Sequence, residues 1–381
     1  MKKENRIIPL IVPEQNEMNR RQFLRYSACG GVSLALGNFI SCSETIRIPK
    51  VNALFGDIQI IDAHAHPDWD CQCSASERPP YTSTIKYMKE LGMVASCFAA
   101  IGDQVHWRRG RLRDTEYGST MTQLNWWKGD LRSGKIKLVL KASDVPKAIG
   151  PNSPPGAILS IEGGDPLEGK PDRVNKFWQY GVRMITLIHY RNNEIGDLMA
   201  PAEGVPPGPR NNGLTPAGRK VVERMQELGM VVDVAHADSA TLKQIAEMTE
   251  RPLLDSHTSP CFGEDLVRCR RFRTWKDMEL VAKTGGVVCT WSLGYESSRT
   301  VRMTFTDWAQ EILEMKRRLG IAHVGIGTDG GWPSFPSVKG YQDIRDLTTL
   351  MGAMKDVGFS HDEIAAYMGG NLLGLLRSCI G

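Results

Sequence analysis

Ile58-Gln59-Ile60-Ile61-Asp62-Ala63-His64-Ala65-His66 is an apolar run, rich in β-branched residues, that ends on two imidazoles. Its body has the composition of a buried strand, and its end carries side chains suited to metal binding or proton transfer. The same form recurs in the runs that reach Glu162 (Ala-Ile-Leu-Ser-Ile-Glu), His189, His236, His257 and Asp329. Parallel barrels build their sites from residues at the carboxyl ends of several strands, so the pattern predicts a centre assembled from distant segments. Of eight histidines, five stand at such ends; His106, His323 and His361 lie elsewhere and read as structural or exposed.

Working outward, β-like runs fall at 58–64, 93–101, 156–162, 182–189, 230–236, 252–257, 285–291 and 323–329, with helix signals between them. Eight strands alternating with helices predict an α/β fold, a (β/α)8 TIM barrel whose site lies at the C-terminal face of the strands. The clearest helix has Thr215 as N-cap, Pro216 at its first position, Val221, Val222, Met225 and Leu228 on one face, and Gly229 as its stop. Ser360-His361-Asp362-Glu363 reads as a capping box, and Thr274-Trp275-Lys276-Asp277 as a similar start. Residues 103–127 and 200–212 fit neither helix nor strand; they read as loops, either the rim of the site or plain surface.

The 381 residues carry a formal charge of +4; residues 1–42 hold six Lys and Arg against three Asp and Glu, which leaves 41 against 40 in the remainder. A near-neutral body gives no electrostatic case for nucleic acid. Residues 1–42 read as a targeting segment, because Asn19-Arg20-Arg21-Gln22-Phe23-Leu24-Arg25 matches a twin-arginine export signal and an apolar stretch from Tyr26 to Ser41 follows. That stretch is too short and too rich in Gly and Ser to span a bilayer comfortably. Phe39-Ile40-Ser41-Cys42 resembles a loose lipobox, which makes Cys42 a candidate for acylation and a membrane anchor. The expectation is an exported protein of the periplasm or cell envelope, with residues 43–381 as one barrel domain. Seven cysteines follow Cys42, an odd number, so at least one thiol is unpaired, and Cys71-Gln72-Cys73 has no second pair to complete a metal site.

On a strand, His64 and His66 share a face because side chains alternate with period two, so the two can chelate one ion. Asp62 points the same way and reads as a ligand or as a residue that orients one. Glu162 precedes Gly163-Gly164, which permits a tight turn, and a carboxylate there can bridge two cations. His236 and His257 supply a second nitrogen pair suited to zinc or a similar ion. Five ligands fit two metals better than one.

A family resemblance joins the pattern at this point. Glu162-Gly163-Gly164, the run Gly181 to His189, Asn192-Asn193, Gly213-Leu214-Thr215-Pro216-Ala217-Gly218, the run Leu228 to His236, Ser256-His257-Thr258-Ser259, Gly325-Ile326-Gly327-Thr328-Asp329 and Gly369-Gly370-Asn371-Leu372-Leu373 resemble, in order, the membrane (renal-type) dipeptidases of peptidase family M19. The likeness runs from about Asp57 to about Arg377.

The resemblance implies a barrel with a dinuclear zinc site that hydrolyses dipeptides, D-residue dipeptides among the candidates, through a hydroxide shared by two metal ions. By position, His64 and His66 hold one ion, Glu162 bridges, and His236 and His257 hold the other. His189 matches the substrate-polarising histidine, Asp329 the acid/base aspartate, and Arg271 the carboxylate-binding arginine, although Arg268, Arg270 and Arg273 crowd its register. A homodimer is among the assemblies the resemblance admits. Two departures stand out: His66 replaces the Asp of the family's H-x-D, and Gly327-Thr328-Asp329-Gly330-Gly331 lacks the Phe and second Asp of G-x-D-F-D-G. The first favours an alternative, an amidohydrolase acting on N-acyl amino acids, lactones or cyclic amides; both together suggest another, a metal-containing binding lipoprotein without turnover.

Overall fold

The computed structural model describes residues 55–67, 84–103, 115–201, 205–260, 271–296, 301–330 and 337–381. The targeting segment 1–42, His106 and Cys71-Gln72-Cys73 lie outside them.

Each of the eight expected runs forms a strand: β1 (Ile61–Ala65), β2 (Ala95–Ile101), β3 (Gly156–Glu162), β4 (Val182–Thr186), β5 (Val231–Asp233), β6 (Leu254–Thr258), β7 (Val287–Thr290) and β8 (Val324–Ile326). A helix follows each one in turn: α1 (Thr84–Leu91), α2 (Glu116–Trp126), α3 (Pro171–Tyr180), α4 (Pro216–Leu228), α5 (Ser239–Ala246), α6 (Trp275–Lys283), α7 (Phe305–Leu319) and α8 (Leu347–Asp356), with α9 (Asn371–Ile380) at the end. Consecutive strands pair in parallel from β1 to β8. A parallel bridge between Ala65 and Gly330 brings the two outer strands together, with Asp329 N–H donating to the His64 carbonyl at 2.9 Å and His66 N–H to the Gly330 carbonyl at 2.8 Å. The fold is a nearly closed (β/α)8 barrel, as the sequence predicts.

Every residue of β1, β2 and β3 is buried, which is why these strands read as continuous apolar runs rather than alternating ones. Ile61, Ala63, Ala95, Cys97, Ile158, Met184, Val287 and Cys289 form a cluster with Leu372, Leu373, Leu375 and Leu376 of α9. Arg251, just before β6, donates to the Ser378 carbonyl at 2.9 Å. The last helix therefore covers the end from which the strands start, and the opposite end is left for the site.

Local signals are realised as read. Thr215 Oγ1 accepts the Gly218 N–H, and Gly229 closes α4 in a left-handed conformation; Ser360 and Glu363 form their capping box; Thr274 caps α6. His323 Nδ1 donates to the Gly286 carbonyl, and His361 is exposed beside Asp57. Cys97, Cys289 and Cys379 are buried free thiols.

The loop expected over 103–127 is corrected, since residues 116–126 form α2. Thr115 caps this helix, but its buried face consists of Ser119, Thr120, Gln123 and Leu124, so no apolar period marks it in the sequence. Gln123 docks it instead: its amide accepts the Ile101 N–H at 2.8 Å and donates to the Ile101 carbonyl at 2.7 Å, continuing the edge of β2 as a backbone would.

Candidate metal centre

Glu162, the last residue of β3, is surrounded by imidazoles. Its Oε1 lies 3.3 Å from Nε2 of His257, 3.4 Å from Nε2 of His236 and of His189, and 3.6 Å from Nε2 of His64. Its Oε2 lies 3.3 Å from Nε2 of His66. Asp329 Oδ1 approaches Nε2 of His66 at 3.5 Å and of His64 at 3.9 Å. The Nε2 atoms of His236 and His257 are 2.8 Å apart, and those of His64 and His66 3.3 Å. All seven side chains are buried.

The strand ends are shaped to bring these groups together. His236 and Asp329 have φ of 65° and 52°, a left-handed conformation that non-glycine residues adopt at a cost and that clusters at functional sites. Two aspartates make matching braces beneath them. Asp62 accepts the N–H of His64 two residues on, and the N–H and hydroxyl of Thr328 across the barrel closure. Asp233 accepts the N–H of Ala235 two residues on, and the N–H and hydroxyl of Ser256 on β6. Each carboxylate thus turns its own strand end and ties it to a neighbour. Asp62 is the orienting residue that its position suggested. Asp233 escaped the sequence reading, although Asp-Val-Ala-His repeats the Asp-before-His signal of Asp-Ala-His.

The outer nitrogens fix the rings. Nδ1 of His66 stands 3.0 Å from the Ala99 carbonyl, which can only accept, so Nδ1 carries a proton, and in the neutral ring Nε2 is the lone-pair nitrogen. Ser256 donates to Asp233 at 2.6 Å, and its oxygen is then the acceptor for Nδ1 of His257 at 2.9 Å. These are the tautomers a metal-binding imidazole needs, with its outer N–H held by a hydrogen bond.

Electrostatics agree with a cation site. Burial opposes charge on His66, but Asp329 and Glu162 outweigh it and push its pKa up to about 10. Burial also opposes charge on Glu162, yet His189 and His64 hold its carboxyl well below the usual range. Burial and then the Arg271 guanidinium keep His236 neutral. Burial likewise opposes charge on Asp329, and His66 above all holds its carboxyl down. A field that draws a proton onto a buried imidazole also favours a divalent ion in its place. The ligand sets His64, His66 and Glu162, and Glu162, His236 and His257, each have their atoms within 4.8 Å, as does His64, His257 and Asp329. The donor chemistry therefore fits two ions, with Glu162 common to both of the expected sets.

Arg271 is the arginine at the site. Its guanidinium reaches the carbonyls of His189 and Ala200 and Nδ1 of His236, which also places residue 200 on the rim. Arg273 is fully buried away from it, paired with Asp255 at 2.6 Å. Tyr190 packs against His189 with ring centroids 3.8 Å apart and planes tilted by 40°, and it lies under Arg271 at 4.9 Å. Asp103 was also missed: it is buried just beyond β2, with Oδ2 2.8 Å from Nδ1 of His189. A carboxylate that follows an apolar run is the same signal as Glu162. Gly331 and the segment around it lie outside the described residues.

The barrel carries, at the ends of its strands, a buried cluster of imidazoles and carboxylates with the donor chemistry of a metal centre. Residues 48–379 match the family Membrane dipeptidase (Peptidase family M19), and the chain belongs to that family. It is 30% identical to the dipeptidase aclJ of Aspergillus oryzae over 58% of this chain and 50% of that protein, and 26% identical to the dipeptidase tcpJ of Claviceps purpurea over 65% and 56%. The chain spans about half the length of these relatives. The fold is similar to that of the probable dipeptidase PvdM from Pseudomonas aeruginosa, with a TM-score of 0.74 at 17% identity over 87% of this chain and 98% of that one. A metallopeptidase from Rhodobacter sphaeroides, solved with a phosphinate mimic of the dipeptide L-Ala-D-Ala, is similar with a TM-score of 0.71 at 19% identity, over 85% and 99%.

Proposed function

We propose that this chain hydrolyses the amide bond of dipeptides, with zinc or a similar divalent ion in two neighbouring sites. The observation that carries the reading is the sharing of Glu162, whose two oxygens reach five imidazole Nε2 atoms within 3.3–3.6 Å. His64, His66 and Glu162 would hold one ion, and Glu162, His236 and His257 the other. When bound, such a pair supplies Lewis acidity and a water activated near neutral pH.

The remaining residues divide the work. Asp329, ionised and facing His66 and His64, takes the proton released during attack and returns it to the leaving amine. His189 faces the centre through Nε2 and stabilises the charge that develops on the carbonyl oxygen. Arg271 fixes the substrate's terminal carboxylate by charge-assisted hydrogen bonds. Acceptance of a D-residue at the C-terminal position is part of the proposal; the ligand of the Rhodobacter neighbour mimics such a dipeptide. Export by the twin-arginine route, acylation at Cys42 and a lipid-anchored location rest on the sequence of residues 19–42.

The test is substrate profiling of metal-loaded protein lacking residues 1–42, against L,L- and L,D-dipeptides, N-acyl amino acids and lactones. Dipeptide turnover at least about tenfold above the other classes supports the reading. Preference for acyl amino acids or lactones replaces it with the broader amidohydrolase activity that His66 favours, and tight binding of dipeptides with no turnover replaces it with a binding protein.

A further inference from the structure

We propose that Tyr190 is a positioning residue for Arg271: the face of its ring lies under the guanidinium and holds it ready for a substrate carboxylate. The inference rests on the carboxylate-binding role given to Arg271 under Proposed function and adds the group that keeps the arginine there.

Arg271 reaches the site from the segment before α6, with its guanidinium carbon 4.9 Å from the centroid of the Tyr190 ring. A cation at that distance is attracted to the face of an aromatic ring. Burial pushes the pKa of the Tyr190 phenol up, so at neutral pH the arginine meets a neutral ring and not a phenolate. Nη1 donates to the carbonyls of His189 and Ala200, at 3.2 and 3.1 Å, and Nη2 has one contact, Nδ1 of His236. Nε and the second hydrogen of Nη2 have no partner among the described residues, which leaves donors for a carboxylate.

Tyr190 is itself fixed. Its N–H donates to Asp103 Oδ2 at 3.3 Å, and its ring packs against that of His189. Tyr190 and Arg271 are half-buried, whereas the imidazoles around Glu162 are buried, so the pair stands at the rim of the centre, where one end of a substrate can reach it. An arginine side chain has many rotamers to lose when it binds. A ring beneath the guanidinium and two carbonyls at Nη1 remove much of that freedom beforehand, which strengthens binding without touching the chemical step.

Tyr190→Phe keeps the ring, and Tyr190→Leu removes it. With metal-loaded protein and L-alanyl-L-alanine, Tyr190→Leu should raise KM by about 3- to 30-fold, the worth of a cation–π contact, with kcat within about twofold and metal content unchanged. Tyr190→Phe should keep KM within about twofold of the parent, because Phe also presents a ring face. In an Arg271→Ala background, Tyr190→Leu should raise KM by less than about twofold more, since the two residues act as one unit. Proton NMR reads the contact without turnover: the Arg271 Nε–H, assigned by its absence in Arg271→Ala, should be shifted upfield by the ring in the parent and in Tyr190→Phe, and should move downfield in Tyr190→Leu. An unchanged KM in Tyr190→Leu, a loss confined to kcat, an equal rise of KM in Tyr190→Phe, a cost that multiplies with that of Arg271→Ala, or an unmoved Arg271 resonance would each overturn the assignment. A parent-like KM in Arg271→Ala would overturn the role of Arg271 instead, and the Arg271 resonance would still decide whether Tyr190 holds it.

Discussion

Nη2 of Arg271 stands 3.0 Å from Nδ1 of His236. A guanidinium has no lone pair to offer, so in this contact Nδ1 accepts, and a neutral His236 carries its proton on Nε2, 2.8 Å from Nε2 of His257. An ion held at Nε2 would leave the His236 proton on Nδ1, and Arg271 would then lose this acceptor and be free to meet a substrate carboxylate.

The prediction for Arg271→Ala follows. KM should rise by about 10- to 100-fold, the worth of a hydrogen bond to a charged group, while metal affinity stays equal to or tighter than that of the parent. Titration calorimetry with zinc and steady-state kinetics check the two halves. Weakened metal binding would make Arg271 part of the metal site.

Arg273→Ala should behave differently, because this side chain is fully buried and paired with Asp255. Breaking such a pair leaves a buried charge and costs about 3–5 kcal/mol. Denaturant unfolding should show that loss, with KM little changed in whatever fraction stays folded. Two arginines two residues apart thus separate binding from stability.

The same contrast shows what was legible in the sequence. The eight strands could be read because buried parallel strands are apolar throughout, and the ligands because His and Glu are conspicuous where such a run stops. Arg271 could not be told from Arg273 by type; only the fold sends one guanidinium to the site and the other between β5 and β6. Helix α2 was hidden because polar Gln123 docks it, and Asp233 and Asp103 because a bracing carboxylate has the same composition as the start of a loop.

Metal binding should release protons. Asp329 and Glu162 raise the pKa of His66 to about 10, so without metal the ring is protonated at pH 7 and a ligating metal must displace that proton. Affinity at the first site should therefore increase as pH rises and fall as pH drops, by up to about tenfold per unit for each proton displaced. Calorimetry in buffers of different ionisation enthalpy counts the protons. His66→Asp removes this competing proton and should bind the first ion more tightly with less release; equal release in both proteins would exclude His66 as the source.

Export can be checked apart from chemistry. Replacing Arg20 and Arg21 by lysine should leave the precursor in the cytoplasm, as cell fractionation would show, and normal export of that variant would rule out the twin-arginine route. The mass of the mature N-terminus reports separately on acylation at Cys42.

Asp329 carries the most demanding prediction. Its φ of 52° and the bond from its N–H to the His64 carbonyl hold it at the seam where the barrel closes. From there Oδ1 faces both His64 and His66. Burial opposes its charge, but His66 and His257 keep the carboxyl below its ordinary range, so at neutral pH it is the base form that faces the centre. Asp329→Asn keeps the shape and removes the capacity to accept a proton. Turnover should fall by about 10²-fold or more, the scale for losing a positioned general base, mainly in kcat. Metal content should stay near that of the parent, because His64, His66 and Glu162 remain in place. His189→Ala should likewise lower kcat and keep its metal. If Asp329→Asn loses one ion together with its activity, the set of His64, His257 and Asp329 is a true ligand group, and the proton must be carried by another residue.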